Sequence, residues 1–324
     1  MVWSNLNVDQ VQKADINGVG ITAISSGVEA RGVAIDEVHG KVYWTKAQGL
    51  TGLGQAIQRS NLDGSAVETL LDVADGISTP VDIRLDVLAG KLYWTDVGNG
   101  AAHISRANLD GTGVELVVDI FGMRGLNFGS GPGQTREFSS VWGLALDPAA
   151  QRLYWTDFSG QDIHSADFTG GNVSAPLVSG LVVPRGIALD LAGGRLYWAE
   201  AFHSEIWRAG LDGSNPELIL DDNTGVDEPF GVFIDPGPAK LYWTNSGTGE
   251  IRRSDLNGLN GELLVSRPEQ DLIAIAIEAE PAINAPALNV PALTGYGLAI
   301  LVCALIGVWL RHGADRRITS GHPG

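Results

Sequence analysis

Cysteine is all but missing from this chain. The one thiol, Cys303, lies in an apolar run near the C-terminus, so no disulfide can staple residues 1–280 and packing has to hold them together. Charge is sparse too, at 18% of residues, and it is lopsided, with 21 Lys and Arg against 38 Asp and Glu. The segment after residue 280 holds three Arg and one Asp, so of the net −17 the first 280 residues carry −19. A body of that sign repels nucleic acid and anionic lipid at long range and favours cationic partners, or divalent cations at paired acids. Helical periodicity is also lacking: no stretch of residues 1–280 holds a 3.6-residue apolar repeat beyond ten residues. Catalytic signatures are absent as well. There is no Gly-x-Ser-x-Gly elbow, no zinc-type His pair and no phosphate-cradling loop, and His39, His103, His164 and His203 are scattered.

One short word is abundant. It recurs as Val2-Trp3-Ser4-Asn5, Tyr43-Trp44-Thr45-Lys46, Tyr93-Trp94-Thr95-Asp96, Tyr154-Trp155-Thr156-Asp157, Tyr197-Trp198-Ala199-Glu200 and Tyr242-Trp243-Thr244-Asn245. The tryptophans lie 41, 50, 61, 43 and 45 residues apart. A period of roughly 40 to 50 residues built from short β-type runs marks a propeller with one repeat per blade.

Within a repeat the grammar is constant. Arg185 to Asp190 is an apolar run ending in an acid, Leu191 to Gly194 a turn, and Arg195 to Glu200 an aromatic β run. Glu205 to Gly210 follows, then the Asp212-Gly213 hairpin signal, then Pro216 to Leu220. That makes four antiparallel strands in a meander. The first strand recurs as Arg31–Asp36, Val81–Asp86, Trp142–Asp147 and Phe230–Asp235. Its two-faced apolar character fits a blade packed on both sides. The motif tryptophans read as wedges between blades.

The chain opens inside a second strand, so the sixth first-strand must come from elsewhere. Residues 272–278 supply it, and they are expected to pair beside Met1 to Asn5 and close the ring. Residues 1–280 are thus expected to form an all-β, six-bladed β-propeller of four-stranded antiparallel blades, followed by one C-terminal transmembrane helix.

From Pro281 to Leu310 there is no charge. Residues 281–292 read as a Pro/Ala linker. Residues 293–310 form an apolar segment of 18 residues, long enough to span a bilayer as a helix. Residues 311–324 make a short basic tail whose Arg311, Arg316 and Arg317 place that end in the cytoplasm and the propeller outside. Such an orientation needs an export signal, which the opening Met1-Val2-Trp3 does not provide, so the true start is expected upstream.

The repeated Tyr-Trp-Thr-Asp word, the Asn61 to Gly64 and Asn108 to Gly111 turns, and the Gly-Val/Ile-Ala-Ile/Leu-Asp first strand together resemble the low-density-lipoprotein-receptor class B repeat over residues 1–278. That resemblance implies a six-bladed propeller serving extracellular binding or pH-dependent intramolecular docking rather than catalysis. Two departures stand out. Lys46, Glu200, Asn5 and Asn245 replace the motif aspartate, and the flanking cysteine-rich modules are missing, so receptor endocytosis does not carry over. The tail, through Val290, Pro291, Ala292 and Leu293, resembles a bacterial sorting signal of the Ile-Pro-Thr-Leu type, with Ala292 in place of Thr. This second resemblance implies export and processing by a sorting peptidase at the cell envelope.

In a four-stranded blade the 2–3 loops and 4–1 connections share one face, and the 1–2 and 3–4 turns share the other. Two Gly-rich insertions, Lys46 to Gln55 and Asp119 to Ser140, fall on the first face. The first-strand entry positions gather there too: Arg31, Val81, Trp142, Arg185, Phe230 and Ile273. Arg31, Arg185, Trp142 and Phe230 around a channel mouth suit a peptide or a carboxylate-bearing ligand, because Arg offers a bidentate fork and aromatics offer anchors. Arg124, Arg136, Phe128, Phe158, Phe202 and His203 lie on adjacent loops. The competing reading is structural, with each Arg paired to an acid of a neighbouring blade and the aromatics capping the core.

The function expected is therefore a non-catalytic module, monomeric and outside the cytoplasm, that binds a protein or glycan and not nucleic acid. No cofactor is required. The alternative is a calcium-dependent, lactonase-like hydrolase with Ca2+ on the propeller axis, for which the acids nearest the axis are Asp82, Asp227 and Glu228.

Overall fold

The computed structural model describes residues 1–47, 54–98, 102–120, 122 and 141–277. They form six four-stranded antiparallel sheets. Blade two, from the inside outwards, is Ala30–Asp36, Lys41–Lys46, Ala56–Asn61 and Glu68–Asp72. Blade three is Pro80–Asp86, Lys91–Asp96, His103–Asn108 and Glu115–Asp119. Blade four is Val141–Asp147, Arg152–Asp157, Asp162–Asp167 and a two-residue outer strand, Val178–Ser179. Blade five is Pro184–Asp190, Arg195–Glu200, Glu205–Gly210 and Glu217–Leu220, and blade six is Pro229–Asp235, Lys240–Asn245, Glu250–Asp255 and Glu262–Ser266. Each of these five inner strands begins one residue earlier than the apolar pattern suggests.

Blade one is made from both ends of the described chain. Leu272–Ala276 pairs antiparallel with Val2–Asn5, setting Trp3 against Ile275 and Asn5 against Leu272. Gln10–Lys13 and Thr22–Ser26 complete the sheet. The inner strands then contact one another in cyclic order, which closes the ring.

Neighbouring residues on a strand point to opposite faces, and the motif exploits this. In each Tyr-Trp pair the Trp packs toward the preceding blade and the Tyr toward the next. Trp44 sits with Val2 and Val11 of blade one, while Tyr43 sits with Ile83 and Trp94 of blade three. Tyr93 meets Trp155, Tyr154 meets Trp198, Tyr197 meets Trp243 and Tyr242 meets Trp3. Six apolar clusters thus fill six seams, and all six motif tryptophans are buried.

The acid ending the inner strand shapes the 1–2 turn. Asp36, Asp86, Asp147 and Asp190 each accept the N–H three residues on, and Asp235 accepts that of Gly237. The acid of the motif word ties down the 4–1 connection: Asp96 accepts from the Ser78 and Thr79 amides, and Glu200 from those of Val182 and Val183. Asn245 keeps this role where it replaces aspartate, accepting from the Asp227 amide.

The expected linker, sorting motif (Val290 to Leu293), membrane helix over 293–310 and basic tail lie outside the described residues. Among the described residues no helix is long and apolar enough to cross a membrane.

Candidate functional site at the channel mouth

The inner strands run from the loop face down the axis, so their second residues ring the upper end of the channel. At the third position four blades carry glycine, and there the strands nearly touch. A Cβ on Gly32 would lie 2.7 Å from the Val81 carbonyl oxygen, and one on Gly143 2.6 Å from that of Arg185. Gly186 and Gly231 are equally crowded by Phe230 and Ile273. Blades three and one have Asp82 and Ala274 instead.

The third residue of the motif word locks this ring. Thr45 Oγ1 accepts the Gly32 N–H of its own blade at 2.8 Å and donates to the Val81 carbonyl of the next at 2.8 Å. Thr95 links the Asp82 amide to the Trp142 carbonyl, and Thr156 links Gly143 to Arg185. Thr244 links Gly231 to Ile273, and Ser4 links Ala274 to Arg31. Five hydroxyls thereby hold the backbones of five of the six entry residues. At the seam between blades five and six the equivalent residue is Ala199, which has no hydroxyl, so Gly186 and Phe230 are not bridged in this way.

Above this seam lies a stack of three side chains. The Arg185 guanidinium sits 4.2 Å from the centre of the Trp142 ring and 4.6 Å from that of Phe230. The two rings meet edge to face, 5.2 Å apart. Trp142, Arg185 and Phe230 belong to blades four, five and six, so the stack spans two seams. Among the described residues Arg185 makes no salt bridge, and its Nε is buried without a hydrogen-bond partner. Burial lowers its pKa, as does the nearby Arg31 charge, while Asp271 and Glu228 act the other way from beyond bonding distance. Arg31 is likewise lowered by burial, against the pull of Glu29. Arg does not lose its proton in proteins, so both remain cations short of counter-charge. The structural alternative, an acid from a neighbouring blade paired with each Arg, is not what Arg31 and Arg185 do among the described residues.

Beneath the stack the channel narrows to a cavity of about 30 Å³, lined by Arg31, Val81, Trp142, Phe230 and Ile273 among others. That is room for a water or two rather than a ligand side chain. A partner must therefore engage the mouth from above. The structure brings all six entry positions to this mouth. Phe158 and Phe202 lie on the 2–3 loops of blades four and five, on the same face, with Phe202 72% exposed and packed edge-on against His203 at 5.2 Å. Arg124, Arg136 and Phe128 lie outside the described residues.

The axial acid is spoken for. Asp82 accepts from Arg84 at 2.6 Å and from the Ile83 and Leu144 amides, the last binding blade three to blade four. Burial nonetheless raises its pKa, against Arg84 and the two amides. Asp227 and Glu228 lie in the 4–1 connection before blade six, at the rim. Among the described residues no three acids, His or Cys converge as metal ligands. The lactonase-like alternative gains no support from this arrangement.

Outer clamps also escaped the sequence reading. Arg59, Arg106, Arg208 and Arg253 each pair with a Glu of the outer strand and donate to a carbonyl in the next blade's 3–4 turn. Lys13 does the latter for blade two. In blade four the position is Ser165, which reaches no such carbonyl.

Residues 90–119 and 151–191 match the family model for the low-density lipoprotein receptor repeat class B. A protein of Pyricularia oryzae named low-density lipoprotein receptor-related protein 1 is 29% identical over 193 residues, which is 53% of this chain and 58% of that one. Mouse low-density lipoprotein receptor-related protein 5 is 29% identical over 155 residues, 47% of this chain and 8% of its own length. The chain thus spans less than two thirds of these relatives. Among solved structures, a chain of a nidogen/laminin complex superposes with a TM-score of 0.67 at 21% identity, covering 84% of this chain and 95% of that chain, and so shares the fold. The chain folds as a six-bladed β-propeller, and two of its segments, residues 90–119 and 151–191, match the low-density lipoprotein receptor class B repeat.

Proposed function

We propose that this propeller is a non-catalytic binding module whose ligand is a protein, engaged from above the channel mouth. One observation carries the reading: a half-buried guanidinium packed against two aromatic rings, with no acid bonded to it among the described residues. Leaving a cation so poorly compensated costs stability, and a partner carboxylate docking on its open edge recovers that cost. Rigid aromatic and Arg anchors at the centre of a face are also where binding energy concentrates. The relatives point the same way, since one is named a receptor-related protein and the structural neighbour was solved in a protein complex.

The module acts outside the cytoplasm in this proposal. The reading rests on sequence alone: an uncharged linker, the 18-residue apolar segment 293–310 and the arginines after it suit a membrane anchor or a sorted tail. The test of binding starts from peptides selected from a displayed library on the wild-type protein. Arg185→Ala and Trp142→Ala are each expected to weaken the selected peptides at least tenfold while circular dichroism stays unchanged. Undiminished affinity in both variants places the ligand elsewhere and sinks the proposal.

A further inference from the structure

A second site lies on the opposite face, in the groove between blades two and three. Its volume is about 640 Å³, within the range of about 300–1,000 Å³ typical of small-ligand pockets. Blade two contributes His39, Lys41, Tyr43 and Arg59. Blade three contributes the Val87–Gly90 turn and Asn108 to Asp110.

The hydrogen-bonding capacity left over in this groove is mostly donor. Asn108 Oδ1 is taken by Lys91, and the Leu109 carbonyl by Arg59. Asp110 Oδ1 is taken by the amide and hydroxyl of Thr112. Lys41, by contrast, spends one N–H on the neutral Asn61 amide oxygen, at 2.7 Å, and keeps two. In blade six the equivalent Lys240 is neutralised by Asp255 at 2.6 Å. Arg59 uses Nε on Glu68 and Nη1 on Leu109, leaving its other amino group. His39 Nδ1–H donates to the Asp36 carboxylate at 2.7 Å, which leaves Nε2 of the neutral ring as an acceptor. Among the described side chains of the groove, the acceptors left are His39 Nε2 and the second oxygen of Asp110.

The Lys–Asn pair and the Arg–Glu clamp recur at the next seam as Lys91–Asn108 and Arg106–Glu115, but the histidine does not. Where blade two has His39, the next four blades have Ala89, Ala150, Gly193 and Pro238. At the seam between blades three and four, Phe168 packs on Tyr93 with ring centres 5.0 Å apart and fills the corresponding space.

We infer that this groove binds a small acidic sugar, with its single carboxylate, sulfate or phosphate on Lys41 and Arg59 and its hydroxyls on His39 Nε2 and Asp110. Cationic donors select the oxyanion. The leftover carboxylate oxygen selects a hydroxyl, and the aliphatic Leu88, 98% exposed, offers a surface for the sugar's C–H face. Polyanions are disfavoured, because the −19 of the propeller repels them over distances that salt screens incompletely. This site is independent of the mouth and of the proposal made for it.

The test is an NMR titration of the full chain with glucuronate, glucose 6-sulfate, glucose 6-phosphate, glucose and inorganic sulfate. At least one acidic sugar is expected to shift amides of residues 39–41, 88–90 and 108–110, and the responding sugars identify the oxyanion. Glucose and inorganic sulfate are expected to bind about tenfold more weakly than that sugar. Lys41→Gln is expected to weaken it by about tenfold, His39→Gln to weaken it less, and Lys240→Gln to leave it unchanged. No shifts with any acidic sugar, equal binding of glucose or of sulfate alone, or indifference to both Lys41→Gln and His39→Gln would each overturn the inference.

Discussion

Arg185 lies over the face of Trp142 at 4.2 Å, and the two come from different blades. Cation–π contact of this kind is worth about 0.5–2 kcal/mol, less than the several kcal/mol that an unpaired buried charge costs. The stack is therefore a poor stability device and a good recognition device. Arg185→Met, which keeps the volume and removes the charge, is expected to leave the melting temperature unchanged or raise it while abolishing binding at the mouth. A fall of several degrees in a thermal melt would mean that Arg185 serves the fold.

Ala199 interrupts the ring of hydroxyl bridges. Thr in the same setting at position 45 or 156 makes both hydrogen bonds. Ala199→Thr is expected to stabilise by about 1 kcal/mol, the net worth of such bonds. Thr45→Val is expected to cost about 1–3 kcal/mol, because it strips a buried N–H and a carbonyl of their partner. Urea melts of the two variants measure both signs.

How much of this could be read beforehand divides along one physical line. Contacts within a blade follow from local period and turn chemistry. The Trp spacing and the Asp-Gly turns therefore yield blade count, strand order and the closure expected of residues 272–278, where the strand itself is Leu272–Ala276. The entry positions follow too, since every inner strand runs the same way. Contacts across seams join residues such as Thr45 and Val81, or Arg59 and Leu109, whose proximity exists only once the ring is closed. The hydroxyl bridges, the outer clamps and the Arg185 stack belong to that class. Tyr197-Trp198-Ala199-Glu200 does carry a visible trace, the lost Thr, but its meaning needs the bridge. The single exception made by Ser165 is equally silent in sequence.

Amide exchange should reveal the missing bridge directly. The N–H groups of Gly32, Gly143 and Gly231 are held by threonine hydroxyls. Gly186 lacks that partner, and the neighbouring seam to blade four lacks an outer clamp. Gly186 is expected to exchange fastest of the four, and Ala199→Thr to slow it toward the others. Equal rates in the wild type would show that the bridge adds no local stability.

Glu200 supplies a pH dependence with a definite sign. Burial, with help from Glu205, raises its pKa above the ordinary glutamate range, against the Val182 and Val183 amides and His203. A carboxyl raised on folding adds stability that is full below the unfolded value and lost as pH rises through the folded one. The stability of wild type minus that of Glu200→Gln is thus expected to be larger at pH 4 than at pH 7.5. Denaturant melts at the two pH values check it, and a difference that grows toward neutrality contradicts the burial argument.

Binding at the channel mouth by a six-bladed ring is tested most directly by mapping amide-exchange protection with a library-selected peptide bound. Protection is expected at residues 141–143, 184–187 and 229–231 and at the 2–3 loops around Phe158 and Phe202. Protection confined to the 1–2 and 3–4 turns of the other face, with those residues unaffected, would contradict it.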